Sequence, residues 1–267
     1  MIHPTAVIHS AAQVATTVSV GPYAVIDAGV TLGPDCMVGP HAYLTGHTTI
    51  GARNRFHAGC VIGDAPQDLK YQQEPTRLRI GDDNVFREHV TIHRSNKMAE
   101  DTVIGCHNFL MANSHVGHNA TLASHIILAN GALIAGHVTI QDRVFVSGNC
   151  LVHQFVRIGT LALMQGGAAI SKDLPPYCVA RGDNGICGLN VVGLRRAGMT
   201  PAERLELKKL YHLVFRSPQR LALLLAEARQ SFGRDAAVNL LDFIGQSKRG
   251  VCADTGRHAE VGQNAEE

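Results

Sequence analysis

His115 and His118 form an H-x-x-H pair, and His137 and the dipeptide His153-Gln154 follow further along the chain. A neutral imidazole is an effective base near pH 7, so such a group could take the proton from an attacking hydroxyl or amine. Three neighbouring histidines could instead bind zinc. Against zinc, the chain has no H-x-x-x-x-H spacing, and no carboxylate is expected beside the cluster, so neither a metal nor a cofactor is expected. Either chemistry needs elements that gather residues lying far apart in the chain.

Those elements are visible as a period of six. From Ile2 to Ile170 every sixth residue is aliphatic, Met or Phe, interrupted only at Asp68 and Glu74 if Met98 is counted with the series. Small residues often follow directly, as in Val20-Gly21, Ile80-Gly81 and Val116-Gly117. A period of six fits neither an amphipathic helix nor long flat strands; it fits a parallel β-helix built from hexapeptides. With three hexapeptides per coil, residues one full coil apart stack one strand spacing, about 4.8 Å, above one another. His118, Gly136 and Gln154 then share a column, and His115, His137 and His153 lie beside it. His89, His107, His125 and Arg143 would form a second column on another face.

The β-helix is expected over 1–192, with loops at 64–79 and 94–103. The first loop has the length of a whole coil, so the register should resume unshifted at Ile80. After Pro175-Pro176 the pattern stops. Thr200-Pro201-Ala202-Glu203 reads as a capping box with Pro at the first helical position. Ser217-Pro218 opens a second helix and Asp235 a third, giving a small α-helical domain over 193–250. The tail, 251–267, lacks apolar periodicity and is expected to be disordered.

Composition narrows the class. No apolar run approaches the roughly 20 residues needed to cross a bilayer, and no charged leader precedes a hydrophobic stretch, so a cytoplasmic protein without an integral membrane segment is expected. Seven scattered cysteines without a C-x-x-C pair read as core or surface residues rather than a disulfide or zinc framework. Between Arg195 and Gly250, eleven Lys and Arg face five acids, an excess of six positive charges that would attract an acidic partner. With no Trp and no interleaved aromatics, nucleic acid is not the expected partner.

Several motifs carry a family resemblance. Asp68-Leu69-Lys70-Tyr71, the run Val90 to Arg94, His115-Val116-Gly117-His118, Ala135-Gly136-His137, Val152-His153-Gln154-Phe155 and Asp173 to Tyr177 resemble the acyl-acyl carrier protein:UDP-N-acetylglucosamine O-acyltransferases that open lipid A synthesis. The resemblance implies a left-handed coil, a homotrimer, and transfer of a (3-hydroxy)acyl chain from acyl carrier protein to the glucosamine 3-position of UDP-N-acetylglucosamine. It implies His118 as general base and the Gly136 N–H as the oxyanion donor. Asp68 and Gln154 would position the sugar, His115 and His137 would hold it and its phosphates, and Lys70 would add a positive charge. His153 and Asn190 fall in the matching motifs, Arg196 would contact phosphate, and Gly166 would help set acyl length. The basic helices suit docking of the acidic carrier protein. Because Asp68 and Lys70 lie coils below His118 by the column arithmetic, a neighbouring subunit is expected to supply them.

The chain departs from the family pattern at three places. Asn119 stands where an Asp is usual and cannot supply its charge, although the related N-acyltransferase also has His-Asn. Val192 and Ala197 replace an acidic residue and a second arginine. The stretch Asp183 to Gly188 is one residue short. A γ-carbonic-anhydrase-like metalloenzyme, the N-acyltransferase paralogue and a coenzyme A-dependent acetyltransferase are the alternatives. The paralogue normally has a separate domain before its repeat, whereas here the repeat begins at Ile2.

Overall fold

The computed structural model describes residues 1–256; the rest of the expected disordered tail, 257–267, lies outside the described residues. The chain coils into a left-handed parallel β-helix with three sheet faces. Face 1 stacks nine strands from Val7–Ile8 to Ala169–Ile170, and face 2 stacks eight from Gln13–Val14 to Arg157–Ile158. Face 3 begins at Ser19–Val20 and ends in three strands, Cys178–Arg181, Gly185–Leu189 and Ala253–Asp254. Most strands are only two residues long: the first points outward and the second inward, as in Val25–Ile26.

Each hexapeptide spends its other residues turning the corner, and one of them commonly takes a left-handed backbone conformation. Asn and His are among the non-glycine residues that tolerate this best. Asn119, His137 and Phe155 sit there with φ of 59°, 58° and 65°. The inward column Ile26, Leu44, Ile62, Ile92, Val116 and Ile134 is at most 1% exposed, which is the physical meaning of the sixfold series. At the corner between faces 2 and 3 a buried amide ladder runs through the coils: Asn84 Nδ2 donates to Asn54 Oδ1 at 2.9 Å, and the Asn108 N–H donates to Asn84 Oδ1 at 2.9 Å.

The two loops correct the expected register. Val61 pairs with Tyr43 below it, one plain coil of three hexapeptides back, but its partner above is Thr91, five hexapeptides on. Thr91 in turn pairs with His115, four hexapeptides on. The first insertion is therefore two hexapeptides rather than the three of a whole coil, and the second is one. Ile80 lands on face 2, whereas Ile62 lies on face 1. His89 consequently leaves the expected column and packs over Gly59, at the corner between faces 3 and 1. His107 and His125 do stack, with ring centroids 4.9 Å apart.

Past the coil come α1 (Val191–Arg196), α2 (Pro201–Arg216), α3 (Leu221–Ser231) and α4 (Asp235–Gly245). The Thr200 capping box forms as read. The third of these helices begins at Leu221, a little beyond Pro218, because Arg220 is extended and serves as its N-cap. Asp173, nearly fully buried, clamps helices to coil: it accepts from Arg157 N–H and Nε at 2.9 Å and from Ser247 Oγ at 2.8 Å. Residues 251–256 are ordered, contrary to the tail expectation. Ala253–Asp254 pairs with Gly185–Ile186, Cys252 is buried, and Asp254 bonds Arg216, so a short strand needs no apolar periodicity of its own.

Candidate active site

Both loops leave the β-helix at the corner where face 1 turns into face 2, the first after Val61–Asp64 and the second after Thr91–His93. The next turn at that corner carries His118, and the two above it carry Gly136-His137 and Gln154-Phe155. One corner thus collects the histidines and both loops. This overturns the expectation that a second subunit must supply Asp68. Within one chain Asn96 Nδ2 donates to Asp68 Oδ2 at 2.7 Å, and the Asn96 N–H donates to Asn119 Oδ1 at 3.0 Å, next in sequence to His118. The physical reason is the insertion length, which puts the first loop only two steps below His118 on the same corner.

His118 and Asn119 are both buried. His118 Nδ1 lies 2.9 Å from Asn119 Oδ1. Asn119 Nδ2 donates to Glu100 Oε2 at 2.9 Å and to Ser95 Oγ at 2.7 Å. The Asn96 N–H can only donate and the Glu100 carboxylate only accepts, so the carboxamide has one satisfactory orientation. Oδ1 therefore receives Nδ1–H from His118, and Nε2 carries the free lone pair. Asn119 fixes the base tautomer that a carboxylate would otherwise fix.

Gly136 lies directly over this base. A Cβ there would come within 2.8 Å of His118 Cε1 and 2.9 Å of its Nε2. The Gly136 N–H has no acceptor among the described residues. His137 crosses His118 edge-on with centroids 5.1 Å apart and stacks on Phe155 at 4.6 Å. Burial, then the charges of His118 and Lys97, lower the pKa of His137. His115 bonds Thr91 Oγ1 through Nδ1 at 2.8 Å; burial, followed by His93 and His118, pushes its pKa down to about 4. Asp68 is held below the usual carboxylate range by the Lys70 N–H, by Asn96 and by the nearby His118.

A cavity of about 610 Å³ opens here, lined by His93, His115, His118, Gly136, His153 and Gln154 among others. Its floor is the outward column of face 1, where His115, Leu133, Leu151 and Ala169 stack in register. Polar chemistry at one end thus continues into an apolar track. His153 is exposed at the rim, with Arg249 Nη2 3.4 Å from its Nδ1.

Six of the expected residues do not line this cavity: Asp68 and His137, which border His118 and Asn119, and Lys70, Gly166, Asn190 and Arg196. Asn190 caps α1 by accepting from the Gly193 N–H at 2.9 Å and donates to Leu161 O at 2.9 Å, and Arg196 is exposed in the last turn of that helix. Gly166 lies at the corner between faces 3 and 1. Lys70 contributes its backbone N–H to Asp68 at 3.0 Å, while its side chain is exposed. Conversely, His93, Asn96, Glu100 and Arg249 were not anticipated. His93 lay within the Val90 to Arg94 motif, but nothing in the residue types marked the loop residues. The expectation of no carboxylate beside the histidines is also overturned, by Asp68 and by Glu100, whose Oε2 lies 3.9 Å from His137 Nδ1.

Comparison with known proteins agrees with this architecture. Residues 29–64 and 101–136 match the bacterial transferase hexapeptide model (six repeats), and with relatives named acyltransferases over nearly the whole chain this places it among the hexapeptide-repeat acyltransferases. Residues 173–252 match the second domain of UDP N-acetylglucosamine O-acyltransferase. The acyl-[acyl-carrier-protein]–UDP-N-acetylglucosamine O-acyltransferase of Myxococcus xanthus is 48% identical over 94% of this chain and 98% of its own length, and that of Syntrophobacter fumaroxidans 42% over the same shares. Among solved structures, the Francisella novicida UDP-N-acetylglucosamine acyltransferase superposes with a TM-score of 0.90 at 34% identity, covering 96% of this chain and 95% of that one. The chain belongs to the UDP-N-acetylglucosamine O-acyltransferase family, as its motifs suggested. That membership leaves the metalloenzyme alternative without support.

Proposed function

We propose that this chain transfers a (3-hydroxy)acyl group from the thioester of acyl carrier protein to the glucosamine 3-hydroxyl of UDP-N-acetylglucosamine, the opening step of lipid A synthesis. The observation that carries the mechanism is His118 with Nδ1 engaged by Asn119 and Nε2 without a partner among the described residues, packed against Gly136, whose N–H is unpaired, where both residues line the cavity. As the sugar oxygen attacks the thioester carbon, Nε2 takes its proton. The carbonyl oxygen becomes an oxyanion, and the Gly136 N–H stabilises it as charge develops. Collapse breaks the carbon–sulfur bond, and the imidazolium returns the proton to the departing thiolate. The Leu133, Leu151 and Ala169 track gives the acyl chain a dry bed, and Asp68, His137 and Gln154 hold the sugar.

Asn190 and Arg196, at α1 beside the helical domain and remote from the His118 corner, reach the nucleotide from a neighbouring copy in a homotrimer. Carrier protein docks on the basic face of α2, where Arg204 and Lys208 border a second cavity of about 1170 Å³. A cytoplasmic setting is part of this proposal, because both substrates are water-soluble carriers of their groups; among the described residues no helix is long and apolar enough to cross a membrane. The test is an assay of carrier-protein thioesters of graded length against 3-hydroxyl and 3-amino acceptor sugars, with His118→Ala as control. Transfer to the 3-hydroxyl that disappears in the variant supports the reading; full activity in His118→Ala removes the base.

A further inference from the structure

The base at this corner leans on a neutral carboxamide, which raises the question of what balances the imidazolium that forms during transfer. The groups that titrate or carry charge around it are Asp68, His93, Arg94, Lys97, Glu100, His115 and His137. Of these, Glu100 alone is joined to the Nδ1 side of His118 through a single intervening group, the Asn119 carboxamide. Asp68 reaches the same Asn119 oxygen by a longer route, through the side chain and backbone of Asn96.

We propose that Glu100 is a positioning residue for catalysis: its carboxylate polarises the Asn119 carboxamide, which then grips the His118 Nδ1–H and favours the imidazolium that forms during transfer. The inference rests on His118 being the base. The alignment is donor to acceptor throughout, from His118 Nδ1–H to Asn119 Oδ1 (2.9 Å) and from Asn119 Nδ2–H to Glu100 Oε2 (2.9 Å). Such chains polarise one another, and a charged terminus strengthens every link. Ser95 reinforces the direction: its hydroxyl donates to Lys97 O at 3.0 Å and accepts from Asn119 Nδ2, so it cannot favour a flipped amide. Lys97 Nζ, 3.0 Å from Glu100 Oε1, holds the carboxylate in place from its solvent side. The second loop therefore brings a charge to the base by way of an uncharged residue. Since Glu100 is about half exposed, solvent attenuates the effect, which should be moderate.

Glu100→Gln isolates the charge, because the Gln carbonyl can still accept from Asn119 Nδ2 and the shape is kept. The expected result is a loss of about tenfold in kcat/KM, with the KM for UDP-N-acetylglucosamine little changed. The acid limb of the pH profile of kcat/KM should move to lower pH, because a base that loses a nearby negative charge protonates less readily. In an Asn119→Asp background, where the charge sits on the neighbour itself, adding Glu100→Gln should cost no activity. An unchanged rate and limb in Glu100→Gln would overturn the proposal, as would an equal loss in both backgrounds, which would mark Glu100 as a mere brace for the loop. His118→Ala measured alongside separates the two readings. If it is active, the base assignment has failed; if it is dead while Glu100→Gln is unaffected, only the role of Glu100 has.

Discussion

Gly136→Ala tests the site at its tightest point. The added methyl would sit 2.8 Å from His118 Cε1, 2.9 Å from Nε2 and 3.2 Å from the His118 carbonyl oxygen. Carbon atoms in contact prefer about 3.5 to 4.0 Å, so the ring or the turn must yield by roughly 0.7 Å. The imidazole has little room, with Nδ1 bonded to Asn119 on one side and His137 crossing it on the other. Gly136 is not in the left-handed region, so alanine meets no backbone penalty and the clash is the whole perturbation. Overpacking of this kind costs about 1–3 kcal/mol of stability. A base displaced by most of an ångström costs on the order of a hundredfold in rate. Alanine keeps the N–H, so the loss reports displacement at this contact, of the base or of the turn that carries the donor, rather than removal of either group. The assay is kcat/KM for acyl transfer together with a thermal melt. Gly166→Ala serves as the stability control, since a Cβ there meets only Gly148 O at 3.6 Å and should leave the melting temperature unchanged. If Gly136→Ala melts normally and keeps kcat/KM within twofold, His118 does not rest on Gly136 in the working enzyme and the arrangement argued for the site is wrong.

The low pKa of His115 makes stability depend on pH. The folded state holds this ring neutral down to about pH 4, whereas an unfolded histidine protonates near 6.5, so the unfolded chain binds the extra proton and stability is lost as pH falls through that interval. The shift is worth about 3 kcal/mol over the window, and the depressed pKa values of His93 and His137 add with the same sign. His115→Gln should flatten the dependence of the urea midpoint on pH between those limits, and an unchanged slope would locate the effect elsewhere. On the helices, Lys208→Glu with Lys209→Glu should raise the KM for carrier protein several-fold, more at low salt than at high, without altering the KM for the sugar nucleotide. Arg216 is unsuited to this test: its Nε lies 2.6 Å from the nearly buried Asp254 carboxylate, so reversing it would strand that charge.

What could be read from the residues, and what could not, follows from one property of the repeat. The inward column obeys a period of six wherever the chain coils, so the β-helix, its core and the stacking of His118 under Gly136 and Gln154 were legible, all three lying beyond both loops. An insertion of any whole number of hexapeptides leaves that series equally intact. The periodicity therefore could not reveal that the first loop lengthens its coil by two hexapeptides and the second by one, and any column drawn across them was rotated by whole faces. That is why His89 was misplaced while His107, His125 and Arg143 stayed together. The same blindness sent Asp68 to a second subunit. Once the hydrogen-bond register is counted, both loops emerge at the corner below His118. Asp68, Asn96 and Glu100 then become neighbours of the base within a single chain. Asn190 and Arg196, at α1 beside the helical domain, are the residues we propose to act across an interface. If an interface completes the site, those two should define it: Arg196→Ala should raise the KM for UDP-N-acetylglucosamine. In trimers mixed from Arg196→Ala and His118→Ala chains, activity should return in the fraction of sites that join an intact Arg196 to an intact His118. Mixed trimers that stay inactive would mean each chain builds its nucleotide contacts alone.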